Sequence, residues 1–166
     1  MSTVAHARTP ACNPLEVVEG IARANAWPFE REVEDEISFL IAGSCANYQV
    51  SFTWMSEIEV LHLSCAFDLK PPGRRRSAVQ ELIASINEQL WLGHFDIWAK
   101  DGVVLFRHAM PLAGGTAVSP LQCQVILGSA VDSCERYYPA FQYVAWAGKS
   151  VGDAMDSVML QTVGEA

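Results

Sequence analysis

Apolar residues return every three or four positions near the start of the chain, which predicts an amphipathic helix beginning at Asn13. Asn13 is a suitable N-cap, and Pro14 is favoured in a first helical turn. The apolar positions of this helix are Leu15, Val18, Ile21 and Ala22. We expect the helix to end before Trp27-Pro28, because the residue that precedes a proline avoids the α region.

Four strands are predicted after this helix. Residues 29–33 and 36–42 flank a turn-like Glu34-Asp35 pair, and residues 58–67 form a later apolar run. The clearest signal lies at 48–55, where Tyr48, Val50, Phe52 and Trp54 alternate with Gln49, Ser51 and Thr53. Alternation of this kind is typical of a strand with one buried face. Because the links are short, the four strands are expected to form an antiparallel meander.

The next segment predicts a helix followed by a β-hairpin. After a break at residues 70–73, an apolar stripe marks a helix from about Arg75 to Trp91. The apolar runs His94–Lys100 and Val103–Met110 are then separated by Asp101-Gly102. That pair is a strong signal for a two-residue type I′ turn, in which both central residues have positive φ.

The C-terminal part predicts two further helices. The segment 119–122 is a capping box with proline at the first helical position, and it opens a helix to about residue 138. Pro139 either kinks this helix or starts a continuation through residue 147. Ser150 and Asp153 have the spacing of a cap, which predicts a last short helix through residue 160.

The order helix, antiparallel meander, helix, β-hairpin and long C-terminal helix predicts an α+β fold, because strict βαβ alternation is absent. We expect a single domain over residues 13–166 and a disordered tail at residues 1–12. Apolar residues make up 51% of the 166 positions, and charged residues make up 18%. This composition indicates either a large core or apolar surface that a second subunit or a partner covers.

The formal net charge of −8 argues against direct nucleic-acid binding, since phosphate backbones repel such a surface. The basic cluster Arg74-Arg75-Arg76 is interpreted as a solvated loop before a helix. Gly148-Lys149-Ser150 resembles the end of a phosphate loop, but Tyr143 stands where that motif needs a glycine. No membrane partner is expected, because no stretch approaches the roughly 20 apolar residues of a span.

Five cysteines at uneven spacing, without a CxxC pair, fit neither a disulfide framework nor a zinc site. Cys65 and Cys134 fall on apolar faces, where a thiol behaves as a small hydrophobic group. Cys45 lies near a turn without flanking residues that mark an activated nucleophile, and there is no GxSxG elbow. We therefore expect no catalytic residue, no cofactor and no enzyme activity. The cysteine usage favours a reducing compartment, which predicts a cytoplasmic protein.

The best cluster of candidate metal ligands is His94, Asp96 and His108 on the predicted hairpin. With a two-residue loop, Asp96 lies opposite Arg107, and His108 lies opposite Phe95. Because side chains alternate between faces, His94 and His108 point to opposite sides of the sheet and do not share an ion. Asp96 and Arg107 are better interpreted as a cross-strand ion pair, and no metal is predicted.

The predicted hairpin is apolar on both faces. One face consists of Phe95, Ile97, Ala99, Val104 and Phe106. The other face consists of Trp98, Val103 and Leu105, bordered by Asp96 and Arg107. If the helices cover only the first face, the second needs a partner. Aromatic and arginine residues are frequent anchors of protein interfaces, so these five residues are predicted to form a partner or dimer interface.

Five stretches carry a resemblance to a known family: Tyr48–Trp54, Cys65–Asp68, Ile86–Leu90, Gly93–Asp96 and Cys134–Ala140. On these stretches the sequence resembles the YbjN family of bacterial proteins, and the resemblance extends over nearly the whole chain after residue 12. It implies a fold like that of type III secretion chaperones, commonly as a homodimer. It also implies a role in protein binding, described variously as chaperone-like, sensory or regulatory, and it supplies no catalytic residue.

The sequence therefore leads to the hypothesis of a non-enzymatic protein-binding domain that pairs with itself as a homodimer and binds an unidentified protein client. One alternative is a regulator of transcription or stress signalling that acts indirectly, through other proteins. Another is a small-molecule-binding domain.

Overall fold

The computed structural model describes residues 13–164. The helices are α1 (Pro14–Ala24), α2 (Arg76–Asn87), α3 (Pro120–Ala145) and α4 (Val151–Gly164). The strands are β1 (Phe29–Glu30), β2 (Glu36–Ala42), β3 (Asn47–Met55), β4 (Val60–Phe67), β5 (His94–Ile97) and β6 (Val104–Pro111). A turn of 3-10 helix at Gly73–Arg75 leads into α2. The tail predicted at residues 1–12 lies outside the described residues.

The six strands form one antiparallel sheet in the order β1-β2-β3-β4-β6-β5. The predicted meander is confirmed from β1 to β4, although β1 is only two residues long. The hairpin joins the meander through β6, which pairs with β4 from Val60 opposite Pro111 to Ala66 opposite Leu105. The α+β fold class is therefore confirmed, with β5 at one edge of the sheet.

The starts of α1 and α3 follow from their caps. The Asn13 side chain accepts the Leu15 N–H at 3.0 Å. Ser119 and Gln122 form a reciprocal capping box: the Gln122 N–H donates to Ser119 Oγ, and the Ser119 N–H donates to Gln122 Oε1. The predicted continuation past Pro139 is observed: α3 is a single helix of 26 residues that contains Pro139 and ends at Ala145, two residues before the predicted end.

The end of α2 differs from the prediction, because the helix stops at Asn87 rather than at Trp91. The Asn87 side chain acts as a partner for the edge strand β5. Its amide oxygen accepts the Phe95 N–H at 2.8 Å, and its amide nitrogen donates to the Phe95 carbonyl at 3.1 Å. These two bonds satisfy backbone groups that the sheet itself leaves unpaired. Trp91 lies beyond the helix and is 99% exposed.

The register of the hairpin also differs from the prediction. Asp96 lies opposite Leu105 rather than Arg107, and Arg107 lies opposite His94. Because the shift is two residues rather than one, each side chain stays on its predicted face. The physical reason lies in the loop: a type I′ turn needs positive φ at both central residues, but Gly102 has it, at 78°, and Asp101 does not.

Residues 98–103 therefore form a wider loop in place of the two-residue turn. The Trp98 N–H donates to the Val103 carbonyl at 2.8 Å, and the Gly102 N–H donates to the Trp98 carbonyl at 2.7 Å. The strands end earlier than predicted on either side of it, at Ile97 and Val104. This loop places Trp98 and Val103 beside the sheet rather than within it.

All four helices contribute to one core on one face of the sheet. Every second residue of β4 is fully buried there. The aromatic rings interlock across the two layers: the ring of Phe95 lies 5.2 Å from that of Phe141, and the ring of Phe67 lies 5.3 Å from that of Tyr138. Edge-on and tilted contacts of this kind add to the free energy of apolar burial.

The basic cluster at Arg74-Arg75-Arg76 differs in part from the solvated loop that was predicted. Arg75 Nε donates to the Val144 carbonyl at 2.8 Å, and its terminal nitrogen donates to the Lys149 carbonyl at 3.0 Å. A guanidinium at the C-terminus of a helix satisfies carbonyls that have no partner within the helix. Arg75 thus ties the start of α2 to the turn between α3 and α4.

Candidate functional site

The second face of the sheet, here called the open face, points away from the core. Its side chains come from five strands: Glu36, Ser38, Leu40, Gln49, Ser51, Thr53, His62, Ser64, Ala66, His94, Asp96, Leu105 and Arg107. Most are polar or small and half-buried among their neighbours. Leu40 on β2 is an exception, because this apolar side chain is 58% exposed.

A groove of about 350 Å³ crosses the open face. It is lined by Glu36, Gln49, Ser51, Thr53, His62, Ser64, Ala66, Trp98, Asp101, Val103 and Leu105, so strands and the β5–β6 loop supply all of its lining. A second depression of about 310 Å³ shares Gln49, Ala66 and Val103 with it and extends to Leu40. The two depressions together present hydroxyl, amide and apolar side chains in a continuous groove across four strands.

Arg107 is held in place at the side of this groove. Its Nε donates to His62 Nε2 at 3.2 Å, and a terminal nitrogen donates to Asp96 Oδ2 at 3.4 Å. The guanidinium carbon also lies 5.9 Å from the centre of the Trp98 ring. Three neighbours therefore orient one cation, and the predicted ion pair of Asp96 with Arg107 is confirmed, although the two residues are diagonal rather than opposite.

His62 serves as an acceptor in this cluster. Burial, followed by the charge of Arg107 and those of His94 and His108, lowers the pKa of His62 below its ordinary value. The imidazole is consequently neutral near pH 7, and its Nε2 lone pair accepts the Arg107 hydrogen. Protonation of His62 would remove that acceptor and place a second cation beside the guanidinium.

Of the five residues predicted as an interface, Asp96, Leu105 and Arg107 lie on the open face, and Trp98 and Val103 lie in the loop beside it. Trp98 is 42% exposed in the loop, whereas Leu105 is only 4% exposed and forms part of the groove floor. Val103 lines both depressions, and Arg107, which pairs with Asp96, contacts the groove residues His62 and Trp98. Their role as an interface stays a prediction. Of the apolar three, Trp98 has the most surface to offer a partner.

Eight of the eleven residues that line the groove were not among the interface residues predicted from the sequence. Gln49, Ser51 and Thr53 follow from the alternation in β3, which indicates a polar face but not what lies beside it. Ser64 contributes from β4, opposite Arg107 of β6. The pairing of β4 with β6 joins residues that are 39 to 51 positions apart in the sequence, and no local pattern signals it.

A further groove of about 560 Å³ lies between α3, α4 and the β2–β3 turn. On its wall, Glu135 accepts the Ser44 N–H at 3.0 Å and the Tyr48 hydroxyl. Burial raises the pKa of Glu135, but these bonds and the one from the Cys45 N–H outweigh burial and lower it. Burial and the Glu135 carboxylate raise the pKa of the Cys45 thiol, which is the opposite of what an activated nucleophile needs.

The histidines of the hairpin lie on opposite faces. His94 is opposite Arg107 on the open face, while His108 is opposite Leu63 on the core face. Within residues 13–164, no group of three or more histidine, cysteine, aspartate or glutamate side chains is arranged to hold a metal ion. The same part of the chain contains no helix that is both long enough and apolar enough to cross a membrane.

Three solved structures are similar to this fold. A chain of the HopA1–SchA chaperone–effector complex is 12% identical, with a TM-score of 0.52, over 71% of this chain and 87% of that one. A chain of the ExsC–ExsE complex is 16% identical, with a TM-score of 0.52, over 80% and 93%. YbjN from E. coli, described as "a putative transcription regulator", is 7% identical, with a TM-score of 0.51, over 72% and 84%.

The protein thus has the α+β fold of type III secretion chaperones, as the sequence predicted. The family model of YbjN, described as "Putative bacterial sensory transduction regulator", matches residues 14–143. The chain belongs to the YbjN family. A search of curated proteins finds no match. The matched range ends before α4, so this helix lies outside the family model.

Proposed function

We propose that this protein is a non-enzymatic, chaperone-like protein-binding domain that holds an extended segment of a client protein on the open face. The observation that carries the proposal is the groove itself, which crosses four strands and has no helical residue in its lining. Its floor offers Ser51, Thr53 and Ser64 as hydrogen-bonding groups, and Trp98 forms an aromatic wall. Hydroxyl groups can donate and accept hydrogen bonds to a client segment, and an exposed tryptophan is a frequent anchor of protein interfaces.

Two further points belong to this proposal. The protein acts in the cytoplasm, which agrees with free thiols at Cys45, Cys65, Cys123 and Cys134. It also acts as a homodimer, since its apolar content of 51% is accompanied by exposed apolar side chains such as Leu40 and Trp91. Leu40 lines the same depression as Val103, so the exposed apolar surface there belongs to the open face.

A regulatory role is the second candidate, and the description of the matching family favours it. The net charge of −8 makes direct DNA binding unfavourable, so regulation would act through a bound protein. This form of the proposal uses the same open face and differs only in the consequence of binding.

The test is affinity capture from the source cell with three baits: wild type, Trp98→Ala and Trp146→Ala. Trp146 is a matched control, because it is an exposed tryptophan at the end of α3, away from the open face. We expect wild type and Trp146→Ala to retain the same protein. Trp98→Ala should weaken its binding by about 2 kcal/mol, roughly thirtyfold, as is typical of an interface anchor.

Two results would contradict the proposal. In one, wild type retains no protein. In the other, Trp98→Ala and Trp146→Ala bind the captured protein as tightly as wild type. Light scattering on the purified chain tests the homodimer separately, and a strict monomer at all concentrations would remove that part.

A further inference from the structure

Cys65 and Cys134 bring two thiols into contact inside the core. Cys65 lies on the central strand β4 and Cys134 lies in α3, 69 positions later, and both side chains are 0% exposed. Their sulfur atoms are 3.7 Å apart. The Cys134 sulfur also lies 3.9 Å from the Cys65 carbonyl oxygen, so the two residues face each other directly.

This contact is more than the burial of two small apolar groups. A disulfide has an S–S bond of about 2.05 Å, so the sulfurs need to approach by less than about 2 Å. An approach of this size would need rotation of the two side chains and a small shift of α3 toward the sheet. Cys123 provides a comparison within α3, because it is equally buried and its pKa is raised by burial alone.

We propose that Cys65 and Cys134 are an oxidisable pair that forms a disulfide between β4 and α3 when the protein meets a hydroperoxide. One thiolate attacks the peroxide oxygen and becomes a sulfenic acid, releasing an alcohol or water. The second thiolate then attacks the sulfenic sulfur and displaces hydroxide, which leaves as water. In total the two thiols lose two protons and two electrons, which reduce the peroxide.

The surroundings of the pair decide when this reaction occurs. Burial, together with the hydrogen bond and charge of Cys65, raises the pKa of the Cys134 thiol. The reactive thiolate is therefore scarce at neutral pH, and the oxidant reaches it only when α3 moves away from the sheet. The disulfide then fixes α3 on the central strand and closes a loop that contains α2, β5 and β6. This inference is independent of the proposed binding function.

The experiment uses the full chain, reduced and then exposed to hydrogen peroxide, with the remaining thiols alkylated after unfolding. We expect the oxidised chain to carry two fewer alkyl groups than the reduced chain, and we expect peptide mapping without reductant to recover Cys65 linked to Cys134. The thermal midpoint should rise by roughly 5–15 °C, as expected for closing a loop of this length, and a dithiol reductant should reverse the rise.

Two variants give the matched comparison. Cys123→Ala should keep both the link and the rise in thermal midpoint, whereas Cys134→Ser should lose both. Wild-type peptide mapping decides the question even if Cys134→Ser does not fold. The inference is overturned if Cys65 and Cys134 remain fully alkylatable after oxidation, or if the disulfides recovered contain Cys45 or Cys123 instead.

Discussion

The hydroxyl of Tyr48 donates to the Glu135 carboxylate, and this bond joins the start of β3 to the middle of α3. Glu135 also accepts the N–H groups of Ser44 and Cys45. A single side chain of the helix therefore fixes the β2–β3 turn. Gly43 shows how tight this arrangement is, since a Cβ there would lie 2.1 Å from Glu135 Oε1 and 2.3 Å from the Tyr48 ring.

Replacing Tyr48 with phenylalanine should therefore destabilise the fold. The variant keeps the ring in the core but removes one donor from a carboxylate, which costs about 1–3 kcal/mol. Urea unfolding followed by circular dichroism measures the change. Tyr143→Phe is the control, because Tyr143 is exposed and its free energy of unfolding should change by less than about 0.5 kcal/mol. Equal stability of Tyr48→Phe and wild type would show that the bond contributes nothing.

Gly93 should be the least replaceable glycine in the hairpin region. Its φ is 67°, and an added Cβ would lie 2.2 Å from the Phe106 ring and 2.7 Å from the Arg107 carbonyl oxygen. Gly148 has nearly the same φ, 66°, but open space around it. Gly148→Ala should cost about 1 kcal/mol for the left-handed conformation alone. Gly93→Ala should exceed it by at least about 2 kcal/mol in urea unfolding, and similar losses would contradict the steric argument.

Much of the fold could be predicted because its signals are local. Caps at Asn13 and Ser119 placed the starts of two helices. The turn-like Glu34-Asp35 pair placed β2, and alternation placed β3, each within a residue of the observed bounds. The wrong turn at Asp101 also has a local cause, since the sequence pair permits a type I′ turn without enforcing it. The hydrogen bonds of Trp98 with Val103 and Gly102 hold residues 98–103 in the wider loop instead.

The site was harder to predict than the fold. Trp98 and Arg107 were found because one hairpin carries both, and the shift in register did not move them to another face. Ser64 was not found, because it lies opposite Arg107 only through the pairing of the distant strands β4 and β6. Glu135 gave no signal either, since its partners Ser44 and Tyr48 precede it by about 90 positions.

The stability of the protein should fall as the pH drops below the ordinary pKa of histidine, about 6.5. The folded-state pKa values of His62 and His108 are both lowered, with burial as the first cause. Between the folded and unfolded values the unfolded chain binds more protons, so the free energy of unfolding decreases with decreasing pH. The contribution of the two neutral histidines to the free energy of unfolding is fully present above about pH 6.5. This contribution is lost as the pH falls from that value through the folded-state pKa values.

Urea unfolding between pH 7.5 and pH 5, chosen to span about one unit or more on each side of the histidine value, measures this slope. His62→Gln should flatten it, because glutamine does not titrate and leaves Arg107 without a neighbouring imidazolium. His108→Gln should flatten it independently from the other face. A slope unchanged by both substitutions would mean that neither histidine is responsible.

Asn87 should matter more than its place at the end of α2 suggests, because it closes the free edge of the sheet at Phe95. Asn87→Ala leaves a backbone N–H and a carbonyl of β5 without partners and should cost about 1–3 kcal/mol. The control is Gln80→Ala, an exposed amide on the same helix, for which we expect a change within about 0.5 kcal/mol. Hydrogen exchange separates this effect from a general loss of stability: Asn87→Ala should speed exchange of the Phe95 amide most. Uniform acceleration across the sheet would indicate that Asn87 supports the helix rather than the strand edge.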